Sequence, residues 1–275
     1  MSEAVDRPST VAWYARLLKR LTIMSLRAGV EYRGTLMVMT AWQFAFLALT
    51  VLFWKVIFLR TSRFAGWTFE SVLVLQLFSQ IFTAIFNTFF LGSHVLWRVI
   101  NQGKLDSFLV RPVDPRLLAM GTRFAIVPAI ERAANGGVLL VLILWLGAPV
   151  NWLNFFLALG MVTTGVLLFS MVQLTGNYLT FWWGSSDAVD EFLDSLFPFI
   201  RYPLTTMPAH LQMVLTFVVP LIFAATMPAL FTTGAIGRGR FALTTLVMLG
   251  VAVMWWFIQD AVWRRGLARY ESAGG

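Results

Sequence analysis

The sequence predicts an all-α polytopic membrane protein, and three observations carry that expectation. Of its 275 residues, 59% are hydrophobic and 12% are charged, about half the charge of an ordinary soluble domain. The mean hydropathy is +0.75, and several apolar runs exceed the roughly 18 residues that mark a transmembrane helix. Nothing in the chain alternates as barrel strands do. The chain has no cysteine, so neither a disulfide framework nor a thiolate site is available. The net charge of +8 does not point to nucleic acid. The basic residues cluster just beyond the ends of apolar runs, where they can snorkel and meet anionic headgroups.

The elements follow in order. Residues 1–9 read as a polar arm without the short apolar core and cut site of a cleaved signal, so the first span is expected to be retained. Val11 to Arg27 reads as an amphipathic helix in the headgroup plane, with Arg16, Arg20 and Arg27 beside an apolar side of Trp13, Leu17, Leu21 and Met24. The cytoplasmic arm and this connecting helix together take residues 1–33. Spans are expected at 35–59, 72–100, 117–146 and 152–181. The stretch after Gly184 is too long for one span and carries Pro198, Pro203, Pro208, Pro220 and Pro228. It reads as a fifth span at 186–202, then short re-entrant helices over 203–234. Irregular backbone at that depth must be covered by protein or line a cavity. The competing reading makes His210 to Phe231 the fifth span. A last span at 241–263 and a tail at 264–275 close the chain.

Orientation follows the basic residues. Segments 1–33, 98–123 and 264–275 hold six, five and three Lys or Arg, which places them and both termini in the cytoplasm. Arg60, Arg63, Arg238 and Arg240 mark the other side, with Arg201 a further candidate there.

Four constellations could carry function. Catalytic motifs come first: the chain has no G-x-x-x-x-G-K-[ST] loop, no H-E-x-x-H and no G-x-S-x-G, so it is not expected to cradle a nucleotide or to be an enzyme. His94 and His210 are expected at opposite faces, and no metal site is expected. Second, polar stripes run along two spans: Gln76, Gln80, Thr83 and Asn87, and then Thr163, Ser170, Gln173 and Asn177. Each keeps to one helical face and faces either a translocation path or a neighbouring helix. Third, Asp187, Asp190, Glu191 and Asp194 share a face at the start of span five. They either attract a cationic substrate or sit in water at a helix N-terminus, and Glu131 and Arg132 of span three could pair with them. Fourth, Asn101 to Arg116, "NQGKLDSFLVRPVDPR", is the longest polar passage between two spans. Gly103 lets the chain turn, Leu105, Phe108 and Leu109 make a small apolar face, and Pro112 and Pro115 stop any helix. The outcome is a short knob with an apolar tip and a rim of Lys104, Asp106, Arg111 and Asp114, fit to dock in a groove or to act as a plain connector.

This passage resembles the G-x-L-D-x-x-L-x-R-P-x-x-P signature of bacterial ABC-2 type permeases, with Gly103, Leu105, Asp106, Leu109, Arg111, Pro112 and Pro115 in place. Arg201 to Ala229 is similar to the family's Y-P-x-x-x-x-P segment with its following F-x-x-P and P-A, and Arg269 and Tyr270 stand in a tail like the family's. The resemblance implies six spans, a coupling helix at 101–116, outer re-entrant helices, and the first of the two readings of span five. It implies a permease working as a homodimer or heterodimer with a second permease, bound to two separate ATPase subunits that carry ATP and Mg. No cofactor is expected in this chain itself. Leu105, Phe108 and Leu109 would be anchors in the ATPase, with Asp106 beside them and Arg111 at the rim. The implied setting is the bacterial cytoplasmic membrane. The cargo is expected to be an amphiphilic or aromatic, drug-like molecule, cationic where the acids at 187–194 attract it, lipid or polysaccharide-precursor export being the alternative. A membrane-embedded lipid-modifying enzyme or an ion-driven carrier fits the residues less well, because the first needs a carboxylate or His cluster at one leaflet and the second matching interrupted spans in two halves.

Overall fold

The computed structural model describes residues 20, 22–27, 31, 33–92, 96–110, 114–116 and 124–270. Among these the regular elements are helical, apart from one isolated bridge between Phe64 and Trp67. The helices are α1 (Arg33–Arg60), α2 (Phe69–Phe89), α3 (Leu96–Asn101), α4 (Asp106–Leu109), α5 (Val127–Trp145) and α6 (Trp152–Tyr178). They continue as α7 (Thr180–Trp183), α8 (Asp187–Leu196), α9 (Ala209–Met213), α10 (Thr226–Thr232) and α11 (Arg238–Arg269). Of the expected amphipathic helix, residues 20 and 22–27 are helical, and the rest of that expectation lies outside the described residues.

Helix α2 is the centre of the bundle. It opens on a reciprocal cap in which Thr68 accepts from the Ser71 N–H and Ser71 Oγ accepts from the Thr68 N–H. Most of its residues are then buried, the polar Gln76, Gln80 and Thr83 among them. Its closest partner is α5, where Gly136 leaves only van der Waals room for Leu77. Helix α6 starts at Asn151, whose side chain accepts from the Asn154 N–H at 3.0 Å, and packs against α11 and α10. Helix α1 differs from these. Only Leu47 and Trp54 of its 28 residues are buried, so its large apolar side chains face outward as a lipid-facing or partner-facing helix does.

Residues 203–234 fold as a bent hairpin rather than a straight helix. Ala209–Val218 and Leu221–Thr232 are inclined to each other by 86° across Pro220. Proline has no N–H to continue the first arm, and that arm widens to a π-type turn over Val214–Val218 before it stops. The irregular backbone is covered by side chains, as membrane depth demands. Asn154 Nδ2 donates to the Phe231 carbonyl at 3.0 Å, Trp255 Nε1 to that of Phe217 at 2.9 Å, and Gln212 Nε2 to that of Met207 at 2.7 Å. Trp67 Nε1 donates to Thr205 Oγ1 at 3.0 Å, and Phe231 stacks on Phe241 at 3.6 Å.

Three expected spans change. The helix expected over 72–100 stops at Phe89, where the Phe90 N–H closes on the Phe86 carbonyl, and restarts at Leu96. The helix expected over 117–146 starts at Val127, because Pro128 suits a first turn and cannot sit deeper in a helix; residues 117–123 lie outside the described set, and Phe124 and Ala125 are not helical. The last helix runs past 241–263 at both ends. Among the described residues five helices are long and apolar enough to cross a membrane, six if the bent pair counts as one. The expected fifth span at 186–202 is helical over α8 and the 3-10 turn Phe197–Arg201. At about 25 Å it is shorter than a hydrocarbon core.

The hairpin's close approach to α6 gives a stability prediction. A Cβ on Gly165 would lie 3.2 Å from the Phe223 carbonyl oxygen, a backbone atom that cannot swing aside, whereas one on Gly160 meets nothing within 4 Å. Gly165→Leu is expected to cost about 1–3 kcal/mol, and Gly160→Leu to stay within about 0.5 kcal/mol. Thermal unfolding in detergent checks it, and equal destabilisation by the two would contradict this packing.

Candidate functional site

The passage 101–116 builds from its glycine outward. Helix α3 ends with the Lys104 N–H on the Val99 carbonyl (3.0 Å) and the Gly103 N–H on that of Ile100 (3.1 Å), with Gly103 left-handed at φ +66°. That paired closure satisfies the helix's last carbonyls and needs a residue without Cβ strain. The chain then turns straight into α4. Leu105 is 0% exposed and enters a cluster with Leu96, Ile100, Leu174, Tyr178 and Trp263, against which Phe108 also packs. What points away is Leu109 at 41% exposure and Val110 at 84%, with Lys104 and Ser107 beside them.

This corrects one expectation. Leu105 anchors the knob to its own chain and cannot also be buried in a partner, and Phe108 is half committed in the same way. Val110, which no pattern had marked, takes their place at the tip. Arg111 lies outside the described residues, so its expected rim contact does too.

The knob is tied to the end of α11 by charge as well as packing. Asp114 Oδ1 accepts from the Arg116 N–H at 2.8 Å, and its carboxylate pairs with the Arg116 guanidinium at 2.6 Å. Arg116 in turn lies 3.8 Å from Asp260, which also pairs with Arg264 at 2.8 Å, and its guanidinium sits 5.8 Å from the Trp263 ring centre. Burial acts to raise Asp114, but the hydrogen bonds and charge of Arg116 outweigh it and hold the carboxyl below its ordinary value. Burial and the neighbouring Asp106 carboxylate both push the Tyr270 hydroxyl up. Asp106 therefore faces the end of α11. Tyr178 completes the clamp, with its ring 4.9 Å from Trp263 and its hydroxyl accepting from Gln259 at 3.1 Å.

The polar stripes separate into two jobs. On α6, Ser170 returns its hydroxyl to the Val166 carbonyl, and Gln173 and Asn177 are fully buried. Asn177 accepts from the Trp97 N–H at 3.2 Å and donates to Asp190 at 2.8 Å, joining α3, α6 and α8. Asn101 Nδ2 donates to the Gly184 carbonyl nearby. Of the two expected roles for these three α6 residues, the geometry favours helix packing, and they are not among the residues that line the crevice described next; Thr163 likewise spends its hydroxyl on the Leu159 carbonyl. On α2, Gln76 donates to the Arg201 carbonyl at 2.7 Å and Gln80 accepts from Arg132 at 3.3 Å. Thr83 and Asn87 line a cavity of about 470 Å³ together with Arg132, Asp194 and Arg201.

That cavity is the middle of a longer crevice. Asn87 and Arg132 also border a cavity against Thr35, Met39 and Glu131. Glu131 borders a further one beside Arg33 and Thr40. At the other end, Arg201 and Pro198 border one against Phe46, Trp54 and Tyr202. The four spaces follow one another along the side formed by α1, α2, α5 and residues 194–202.

The acidic face does not act as a unit. Asp187 is exposed beside the Ser185 hydroxyl, Glu191 is exposed, Asp190 is held by Asn177, and only Asp194 reaches the crevice. Nor does the expected pairing with span three form as such: Glu131 accepts from Thr40 at 3.2 Å, while Arg132 turns to Gln80. Charged side chains within a membrane-spanning bundle are costly and are seldom kept for packing alone, so Arg132 and Arg201 mark this place.

A bundle of long apolar helices with a covered bent helix pair and a crevice along one side is the architecture of a multi-pass membrane protein. The family model described as ABC-2 family transporter protein matches residues 44–274, and the chain belongs to that family. It is the membrane permease component of an ABC transporter, a carrier subunit and not an enzyme, and membership implies partnership with an ABC ATPase. No curated protein matches the chain.

The cysteine-free sequence makes the knob's geometry directly testable. Val110→Cys is expected to react quickly with a water-soluble maleimide in detergent, and Leu105→Cys to react only after denaturation. Equal rates would mean that the knob is not seated as described.

Proposed function

We propose that this chain is the membrane half of an exporter, paired with a second permease of the same or a related kind and docked on two ATPase subunits through the 101–116 knob. The single observation that carries this reading is the seating of the knob. Its inner side is locked by Leu105 to α6 and α11 while Leu109 and Val110 stand bare at the tip. A plain connector has no need of an exposed apolar tip on a rigid mount, whereas a docking element needs both. On this reading the knob end of the bundle, with both termini, is cytoplasmic in a bacterial inner membrane, and the bent hairpin lies at the outer face. Residues 186–202 with the hairpin then make one short fifth span and its re-entrant cap. ATP and Mg are bound by the partner ATPase.

A mount of this kind transmits force without chemistry of its own. If the ATPases move the tip between two positions, the Leu105 cluster and the Arg116–Asp260 pair carry the displacement into α6 and α11. The ATPase then needs only to bind the two arrangements with different affinity.

The cargo is proposed to be an amphiphilic or aromatic small molecule, since Phe46, Trp54, Phe86, Phe197 and Tyr202 wall the crevice. The cationic character expected from the acids at 187–194 has little geometric support, because Asp194 alone reaches the crevice and shares it with two arginines. The bare flank of α1 beside that crevice is the natural seat of the second permease.

The docking claim is tested by charge at the tip. Leu109→Asp with Val110→Asp is expected to lower ATPase co-purification roughly tenfold or more, with membrane insertion unchanged. Undiminished association would remove the knob as the docking element.

A further inference from the structure

We infer that the crevice holds an amphiphile by a single anionic group, a carboxylate, sulfonate or phosphate monoester, placed between Arg132 and Arg201. The inference rests on the exporter reading for its purpose, though not for its geometry. Arg132 lies on α5 and Arg201 at the end of the 3-10 turn after α8, so two distant parts of the chain bring two guanidiniums to one cavity. Neither has a carboxylate within ion-pair distance among the described residues. Arg132 spends one N–H on Gln80, and Arg201 rests on the face of Phe46 at 4.7 Å. Each guanidinium has five N–H donors in a planar fork, so most of that donor capacity remains for a ligand. Arg201's charge also acts on Arg132, and the neighbouring Glu131, which accepts from Thr40 and lies on the α1 side, offsets it in part. Two like charges facing one space are stabilised together by an anion between them, and the planar forks suit oxyanions in particular.

Asp194 has to be counted in the same cavity. Phe197, three residues on, packs on Phe82 and Phe86, while the Arg201 carbonyl reaches Gln76. The segment therefore runs along α2 from its Asn87 end toward its Gln76 end. Asp194 lies at the Asn87 end and the Arg201 backbone near Gln76. A carboxylate at one mouth repels a multiply charged anion more than a singly charged one, so the site favours one negative charge and rejects nucleotide-like polyanions. Apolar chain attached to that group has the aromatic wall of Phe46, Trp54 and Tyr202 to lie on.

The probe is dansyl-undecanoic acid, compared with its dansyl-undecylamine counterpart, on the full-length protein in phosphatidylcholine nanodiscs. The acid is expected to bind roughly tenfold or more tighter than the amine. Arg132→Gln with Arg201→Gln should abolish that preference, Arg132→Lys with Arg201→Lys should keep part of it, and Asp194→Asn should strengthen acid binding. Thermal unfolding of each variant reports whether it is folded, and Asp194→Asn keeps the test open if the arginine variants are not. Replacing one lipid in three by phosphatidylglycerol separates the sources. Competition identifies an anionic membrane lipid as the occupant, and no competition identifies a free amphiphile; both retain the anionic site. Acid binding unchanged in the double Gln variant, or an amine bound as tightly as the acid, overturns the inference. ATPase co-purification on the same samples is independent. Its absence in the wild type, with the acid preference intact, would sink the exporter reading and leave the site standing.

Discussion

The rest of the structure depends on one clamp, the packing of Leu105 between α3, α6 and α11 with the Arg116–Asp260 pair beside it. A four-residue helix such as α4 has no stability of its own in water. It exists because Leu105 is removed from solvent against Tyr178 and Trp263, and because Gly103 turns the chain into that position without strain. Burying one leucine contributes about 2 kcal/mol, and the exposed end of the pair near Arg264 adds little. Apolar packing therefore seats the knob, and the charges fix its angle. The Gly266 backbone runs so close to the Phe181 ring that a Cβ there would lie 2.7 Å from Cε2. Helix α7 and the end of α11 can approach only because that position has no side chain.

A second constraint shapes the bundle's other half. Backbone that leaves helical geometry inside a membrane has to find partners in protein, and the hairpin finds them in Asn154, Gln212, Thr226 and Trp255. Asn154 and Trp255 fix the hairpin against α6 and α11, while Gln212 and Thr226 tie its own turns together next to the Pro203-terminated segment that carries Arg201 to the crevice. The arginine pair is thus a product of the hairpin's satisfaction. Had Pro203–Pro220 continued as helix, Arg201 would have no reason to meet Arg132.

Much of this was legible in the residues. The five long spans, the bend near Pro220 and the short knob between Gly103 and Pro112 follow from apolar run length and from what glycine and proline permit. The family match over 44–274 agrees with the motif at 103–115. The end of α2 at Phe89 was not legible, because the residues after it contain no proline and the single Gly92 is a weak stop signal. The direction of Leu105 was missed for a related reason. A spacing of three and one along so short a helix defines an apolar side without saying whether that side faces home or a partner. The polar stripes were seen but their role on α6 stayed open, since buried Asn177 and Gln173 look the same in sequence whether they bridge helices or line a path. Arg201 was read as an orientation marker, because only the folded hairpin brings it to Arg132.

The central claim is that the knob and the ends of α6 and α11 move as one rigid unit when the transporter turns over. It is tested most directly by paired spin labels at Val110→Cys and Ala268→Cys, and at Val110→Cys and Leu144→Cys, in the ATPase-bound complex with and without ATP. The account predicts that the first distance stays the same and the second changes. A first distance that shifts on ATP binding while the second does not would mean that the knob moves on a hinge and carries nothing into the spans.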